Sequence, residues 1–302
     1  MSKVLKPAII IHAGADMKLP TPESEICVRD SLRQVVAQAY ERLKTFSALE
    51  TVVWVVSKLE DDPQFNAGTG GKLQSDGVAR LSASLMDGVT GRFSGVINIE
   101  NVKNPIFVAK RLQKEKDRVL EGRGATHFAR ENGFKAYDPV TPATSEAWQR
   151  KAEGLCGTVG AVALDGKGRL AAATSTGGKG MEVVGRVSDS ATAAGNFASD
   201  RAAVSVTGVG EEIVELALAA RIVIRVDDGK SLKYAFSKTF QEFRAKSFRG
   251  GAIGVDFRGK IAVDTTTSCI LYAAQTSRGI SALSINGEPE SHEETRNVLP
   301  LW

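Results

Sequence analysis

Apolar residues along the chain fall either in short continuous runs or at helical spacings. From Pro7 to His12 they run unbroken (Pro-Ala-Ile-Ile-Ile-His) into Ala13-Gly14-Ala15, the pattern of a central buried strand ending in a tight turn. Val28, Leu32, Val35, Val36, Ala39 and Leu43 recur at spacings of three and four, which predicts an amphipathic helix. Ser47 with Glu50 makes a capping box ahead of a second helix over Thr51 to Leu59, apolar on most sides. After a loop at 60–71, Val78 to Met86 and Arg92 to Ile99 read as strands joined at Asp87-Gly88. Asn104-Pro105 opens a helix, and 124–132 holds another. From Tyr137 the pattern fails: Pro139, Pro142 and the polar run Gln149 to Gly154 mark 137–157 as a flexible linker.

Strand-like apolar runs resume after Gly157. Gly157-Thr158-Val159-Gly160-Ala161-Val162-Ala163-Leu164 is an apolar strand, Asp165-Gly166-Lys167-Gly168 a turn, and Arg169 to Ala173 the return, closed by Thr174-Ser175-Thr176-Gly177-Gly178. A polar loop at 185–190 precedes a strand over Ala202 to Val206. The turn Thr207-Gly208-Val209-Gly210 then leads into one helix with Ile213, Leu216, Ala217, Ala220 and Val223 on its apolar face. A helix over about 232–245, a hairpin around Phe257-Arg258-Gly259 and strands at 270–274 and 280–285 complete the chain. Runs of hairpin strands and runs of helices predict an α+β fold in layers, not alternating βαβ units, with 1–302 as a single domain.

Composition narrows the function classes. Apolar content of 42% and charged content of 25% are ordinary for a globular domain. The net charge of +4 is scattered, and no apolar run reaches membrane-spanning length, so neither nucleic acid nor membrane is expected as a partner. Cys27, Cys156 and Cys269 are odd in number and far apart, which predicts reduced thiols and a cytoplasmic protein. His12, His127 and His292 are isolated, which argues against a histidine-rich zinc site. Gly68-Thr69-Gly70-Gly71-Lys72 has the wrong spacing for a phosphate-binding loop, and Leu73 stands where a magnesium-binding hydroxyl would be needed.

The candidate chemistry centres on Thr158. A cut between Gly157 and Thr158 would give Thr158 a free α-amine, with a reference pKa of about 8, beside its own hydroxyl. A threonine hydroxyl is a weak nucleophile, and an adjacent amine is one of the few groups that activate it. An ordinary core hairpin has the same pattern, so these residues alone leave both readings open.

Further motifs appear in order: Phe65-Asn66-Ala67-Gly68, Leu85-Met86-Asp87-Gly88, Asn104-Pro105, Gly157 to Ala163, Thr174 to Gly178, Gly185-Arg186-Val187 with Asp189-Ser190, and Ala203 to Glu211. With them the chain resembles the plant-type L-asparaginase and isoaspartyl peptidase family of N-terminal nucleophile hydrolases. The resemblance implies a four-layer αββα sandwich, self-cut into an α chain (1–157) and a β chain (158–302) that pair into a homodimer of αβ units. It implies an amidohydrolase acting on two small-molecule substrate classes, L-asparagine and β-aspartyl dipeptides. Thr158 would be nucleophile and base, Thr176 its hydrogen-bonding support, and Thr207 with Gly208 the oxyanion hole. Arg186 would take the substrate α-carboxylate, Asp189 and the Gly210 carbonyl its α-ammonium, and Asn66 would line the nucleophile pocket. No catalytic cofactor is implied. A structural sodium ion would be held by the loop of Leu59, Glu60, Asp62, Phe65, Ala67 and Thr69. Two other functions remain open: an uncleaved binding or structural module of the same fold, and a glycosylasparaginase. Taken singly, Arg186 and Asp189 also read as a surface ion pair, and Thr207 as a helix cap.

The chain departs from the family pattern at His12-Ala13-Gly14-Ala15-Asp16, where a glycine pair follows the histidine in relatives. If Ala13 needs positive φ, its Cβ is expected to strain this turn and slow the cut. At Asp264-Thr265-Thr266-Thr267 the chain differs again, so the leaving-group preference is not inherited.

Overall fold

A computed structural model describes residues 6–16, 22–151 and 157–286. Its elements, in order, are β1 (Ala8–Ala15), α1 (Pro22–Arg42), α2 (Ala48–Asp61), β2 (Leu81–Asp87), β3 (Arg92–Ile99), α3 (Pro105–Leu112), β4 (Val119–Glu121), α4 (Gly122–Glu131) and α5 (Pro142–Gln149). Then follow β5 (Val159–Leu164), β6 (Leu170–Thr176), a 3-10 turn (Asp189–Ala191), β7 (Asn196–Ala198), β8 (Ala202–Gly208), α6 (Gly210–Leu216), α7 (Leu218–Asp227) and α8 (Leu232–Ala245). The last strands are β9 (Gly250–Asp256), β10 (Ile261–Thr265), β11 (Cys269–Thr276) and β12 (Gly279–Asn286).

Two sheets stack face to face. One has eight strands in the order β12-β11-β1-β5-β6-β2-β3-β4, the other four in the order β10-β9-β8-β7. Side chains alternate across each strand, so every strand feeds two layers. Ile9 and Ile11 of β1 and Ala161 and Ala163 of β5 pack with Val28, Leu32 and Val36 of α1 and Val52, Val55 and Val56 of α2. Val204 and Val206 of β8 pack with Ile222 of α7 and Phe236, Phe240 and Phe243 of α8. Between the sheets lie Ile10, Val162, Ala172, Ala203, Ile253 and Val255. The architecture is the expected αββα sandwich.

The Ser47–Glu50 capping box is present, with Glu50 N donating to Ser47 Oγ at 3.2 Å and Ser47 N donating to Glu50 Oε2 at 3.0 Å. Two local expectations are corrected. The helix after Gly210 is two helices, because Ala217 takes the left-handed conformation (φ 51) and breaks it. Within 137–157, read as linker, α5 forms: Pro142 occupies a first-turn position where it initiates a helix, and Thr141 caps it. Trp148 Nε1 donates to Gln74 O at 3.0 Å and ties α5 to the turn before β2. Ala152 to Cys156, the remainder of that segment before the cut site, lie outside the described residues.

Candidate active site

At one edge of the sandwich β5 begins while β1, β6 and β8 end. His12 stands opposite Gly160, and Ser175 opposite Val159. Alternation turns Thr158 and Gly160 toward the second sheet, with Thr174 and Thr176 of β6 and His12 of β1. Ser205 and Thr207 of β8 face them. The layer between the sheets is apolar over most of its length and hydroxyl-rich here.

The buried Thr158 hydroxyl donates to Thr176 Oγ1 at 3.2 Å, and Gly178 N donates to the same oxygen at 3.1 Å. Gly157 lies directly on Asn66: a Cβ there would stand 2.7 Å from Asn66 Cβ. The Asn66 amide is fixed at both ends, Nδ2 donating to Gly178 O at 2.6 Å and Oδ1 accepting from Lys72 N at 2.9 Å. Thr207 Oγ1, on the facing strand, accepts from Ala15 N at 3.3 Å, which leaves its own O–H available as a donor. Gly208 (φ 153) is pressed against Gly250, whose Cα would be 2.4 Å from a Cβ at 208.

The turn after His12 does not carry the expected strain. β1 has a bulge, its register with β11 shifting between His12 and Gly14, and Gly14 (φ 123) takes the unusual backbone conformation. Ala13 is not among the positive-φ residues, and its methyl is buried in the helix-side core. The condition for strain at Ala13 is therefore not met.

A second group of residues flanks this centre. Arg186 Nε and Nη2 donate to Glu211 Oε1 and Oε2 at 2.7 and 3.0 Å. Asp189 is buried, and burial pushes its pKa up to about 6 despite the nearby Ser188 hydroxyl and Arg186. Its Oδ1 accepts from Ser188 Oγ at 3.1 Å, while Oδ2 is buried with no hydrogen-bond partner. The two charged groups meet over Gly210, where a Cβ would stand 2.6 Å from Arg186 Nη2 and 2.9 Å from Asp189 Oδ1. A buried carboxylate oxygen left unpaired is costly, and a cationic ligand would remove that cost.

The same segments are matched by a known family model. The model described as Asparaginase covers residues 5–285. The chain belongs to the asparaginase family. It is 45% identical over 296 residues to an isoaspartyl peptidase/L-asparaginase of Synechocystis sp., covering 91% of this chain and 90% of the relative. Identity to a protein of the same description from Nostoc sp. is 44%, over 90% of this chain and 93% of the relative. A plant-type L-asparaginase of Pyrococcus abyssi is 36% identical, over 88% of this chain and 95% of the relative.

In this asparaginase-family chain the loop after α2 offers oxygen atoms of the main chain. A Cβ on Gly68 (φ 55) would stand 2.5 Å from Glu60 O, and one on Gly70 (φ 91) 2.8 Å from Pro63 O and 3.2 Å from Phe65 O. These carbonyls crowd the two glycines, Glu60 O accepts from Thr69 N at 2.8 Å, and Leu59, Phe65 and Ala67 bury their side chains in the core. The Glu60 side chain is committed elsewhere: Oε1 accepts from Ser175 Oγ at 2.7 Å and from Ile106 N at 3.1 Å, and burial raises its pKa to about 8. Main-chain carbonyls are therefore the oxygens this loop has to offer a hard cation. Among the described residues no cluster of three His, Cys, Asp or Glu side chains forms a metal site.

Sequence reasoning missed two sets of residues. The His12 ring shares a hydrogen bond of 2.8 Å with Ser205 Oγ, and Ser205 one of 2.8 Å with Thr174 Oγ1, directly beneath Thr158 and Thr176. Burial lowers the pKa of His12 to about 3, so the ring is neutral. Glu211, the bidentate partner of Arg186, carried one usable signal: an acidic side chain immediately after Gly210, in the same motif series as Arg186.

Proposed function

We propose that this chain is a self-processing amidohydrolase that cleaves the side-chain amide of L-asparagine and the β-aspartyl bond of isoaspartyl dipeptides. The observation that carries the reading is the buried Thr158 hydroxyl, bonded to Thr176 and following a glycine packed on Asn66, in the layer that Thr207 enters from the other sheet. In maturation the Thr158 oxygen attacks the Gly157 carbonyl. The Gly157–Thr158 C–N bond breaks as the acyl group passes to oxygen, and water hydrolyses the resulting ester. Residue 158 is left with a free amine, and its hydroxyl is restored.

In turnover that amine accepts the Thr158 hydroxyl proton as the oxygen attacks the substrate β-carbonyl. The tetrahedral oxyanion receives the Thr207 O–H and the Gly208 N–H; one such donor contributes about 3–4 kcal/mol. Ammonia or an amino acid leaves with a proton from the Thr158 ammonium, and water then hydrolyses the aspartyl ester. Arg186 takes the α-carboxylate, for which its planar fork is suited. Asp189 takes the α-ammonium, which gives its unpaired Oδ2 a partner, and the Gly210 carbonyl assists. A sodium ion on the carbonyls of the 59–69 loop would supply no reactive group; it would fix the segment that carries Asn66.

Paired self-cut units in a homodimer, and a cytoplasmic setting, complete the reading; sedimentation of the matured protein tests the assembly. Denaturing electrophoresis with mass analysis tests the cut. Two fragments, 1–157 and 158–302, are expected from the wild type and one intact chain from Thr158→Ala. Hydrolysis of β-aspartyl but not α-aspartyl dipeptides is expected, because an α-aspartyl dipeptide has its α-carboxyl tied up in an amide. An alanine variant that still splits, or equal rates on both dipeptides, overturns the corresponding assignment.

A further inference from the structure

The flank of the cleft opposite Arg186 and Asp189 carries a second cation. Arg249 immediately precedes β9, and its carbonyl would lie 2.5 Å from a Cβ on Gly208, so its backbone abuts the proposed oxyanion hole. Its guanidinium crosses from one sheet to the other and donates through Nη2 to Asp16, at the end of β1. About half of the side chain (49%) remains exposed. Asp16 is buried at φ 51 and also accepts from Ser268 N at 2.8 Å and Ser268 Oγ at 2.5 Å. Such a backbone conformation in a residue other than glycine persists where its surroundings enforce it. Here three donors on one carboxylate do so. Asp16 is a fixed anchor for Arg249.

Strand order places the two flanks on opposite sides of Thr158. In the larger sheet β11 and β1, beside Ser268 and Asp16, lie on one side of β5; β6, β2 and β3 lie on the other, where the turn bearing Asp189 packs. In the smaller sheet β9, preceded by Arg249, lies on one side of β8. On the other is β7, preceded by Gly195, whose Cβ would meet Asp189 O at 2.3 Å. With strands about 4.8 Å apart, the Arg249–Asp16 pair sits roughly 5–10 Å from the head of β5.

A β-aspartyl dipeptide carries charge at both ends. The α-carboxylate and α-ammonium lie at one end, the scissile carbonyl in the middle, and the carboxylate of the leaving amino acid two bonds beyond the scissile nitrogen. With the first end on Arg186 and Asp189 and the carbonyl at Thr158, the leaving residue extends toward the β1–β9 flank. We propose that Arg249, held by Asp16, receives the carboxylate of the leaving amino acid and so determines preference for dipeptides with a free C-terminus. This rests on the function proposed above. L-Asparagine places no group on this flank, so Arg249 acts on dipeptides alone.

The test compares three substrates: L-asparagine, a β-aspartyl dipeptide, and the same dipeptide with its C-terminal carboxyl converted to an amide. For the matured wild type, kcat/KM is expected to be about tenfold higher for the free dipeptide than for its amide. In Arg249→Gln the advantage disappears through a raised KM for the free dipeptide, while L-asparagine and the amide change less than about twofold. Equal kcat/KM for free and amidated dipeptide in the wild type overturns the proposal without any variant. So does a uniform loss on all three substrates in Arg249→Gln, which marks a structural role. Failure of the matured wild type on every substrate would instead overturn the proposed function.

Discussion

Arg186 holds Glu211 along one edge of its guanidinium, Nε at 2.7 Å and Nη2 at 3.0 Å, and the edge formed by Nη1 and Nη2 is not used by this pair. A guanidinium has five N–H donors and can serve two carboxylates. Glu211 therefore holds Arg186 and leaves the other edge open for the substrate α-carboxylate proposed for it. The pair persists across the ordinary pH range, because the Arg186 hydrogen bonds pull the Glu211 pKa down to about 2. In Glu211→Ala the KM for L-asparagine should rise about five- to tenfold with kcat little changed, since the arm loses orientation and not charge. Steady-state kinetics check this; a lowered KM would make Glu211 a competitor of the substrate.

Asp189 gives the site a pH dependence. Burial raises its pKa from 3.8 to about 6, so below about pH 6 the empty site is neutral at this position and lacks its partner for an ammonium group. The Ki of L-aspartate as a competitive inhibitor should rise as pH falls through 6, approaching about tenfold per pH unit. Stability moves in the other direction. The folded chain holds this proton more tightly than the unfolded chain, so the contribution is fully present below pH 3.8 and is lost as pH rises through about 6. Asp189→Asn should remove that slope from thermal melts across this range and abolish L-aspartate inhibition. A Ki that is flat from pH 7 to 5 would show that the α-ammonium is bound elsewhere.

Much of the layer order was legible because strand and helix periods differ and each strand feeds two layers. Val159, Ala161 and Ala163 alternate with Gly160 and Val162, and the sandwich follows. Helix α5 was not legible, since Pro142 breaks a helix from within but starts one from its first turn, and sequence alone does not fix which applies. Nor was the break at Ala217, where an alanine adopts a conformation usual for glycine. Thr158 bonds Thr176, and Asn66 packs on Gly157 and Gly177, because these positions are, or flank, glycines that permit close approach. His12, Ser205 and Thr174 come from three strands of two sheets, and no local pattern announces a pairing across 193 residues.

Gly160 measures how tightly that group is packed. A methyl there would stand 2.0 Å from Ser205 Oγ and 2.4 Å from His12 Nε2, and neither neighbour is at the free end of a flexible side chain. Gly160→Ala should destabilise the fold by about 3 kcal/mol, the upper part of the usual range for overpacking. Denaturant unfolding measures the loss. A change below about 1 kcal/mol would mean that the strands at this end of the sandwich yield readily.

Gly157→Ala addresses the cut itself. The added methyl would stand 2.7 Å from Asn66 Cβ, and Asn66 is fixed by Gly178 O and Lys72 N, so the residue before Thr158 must move. A displacement that costs the pre-attack arrangement about 2.7 kcal/mol slows cutting roughly a hundredfold. The expected result is a long-lived intact chain with an unfolding temperature close to that of Thr158→Ala. Cutting at the wild-type rate would show that Asn66 is not in contact with the reacting peptide during maturation.

The geometry at Ala13 reverses the expectation from sequence. The bulge in β1 places the unusual backbone angle on Gly14, and the Ala13 methyl is fully buried against the helix layer. Glycine at 13 would relieve no strain. It would remove one buried methyl, about 0.8 kcal/mol, and add about 0.5–1 kcal/mol of backbone entropy to the unfolded chain. Ala13→Gly should therefore be less stable by about 1–2 kcal/mol, a fall of several degrees in unfolding temperature. Its rate of conversion to two chains should match that of the wild type. The comparison is a time course of band intensities beside a thermal melt of each protein in one buffer. Faster cutting by Ala13→Gly with no loss of stability would return the strain to Ala13.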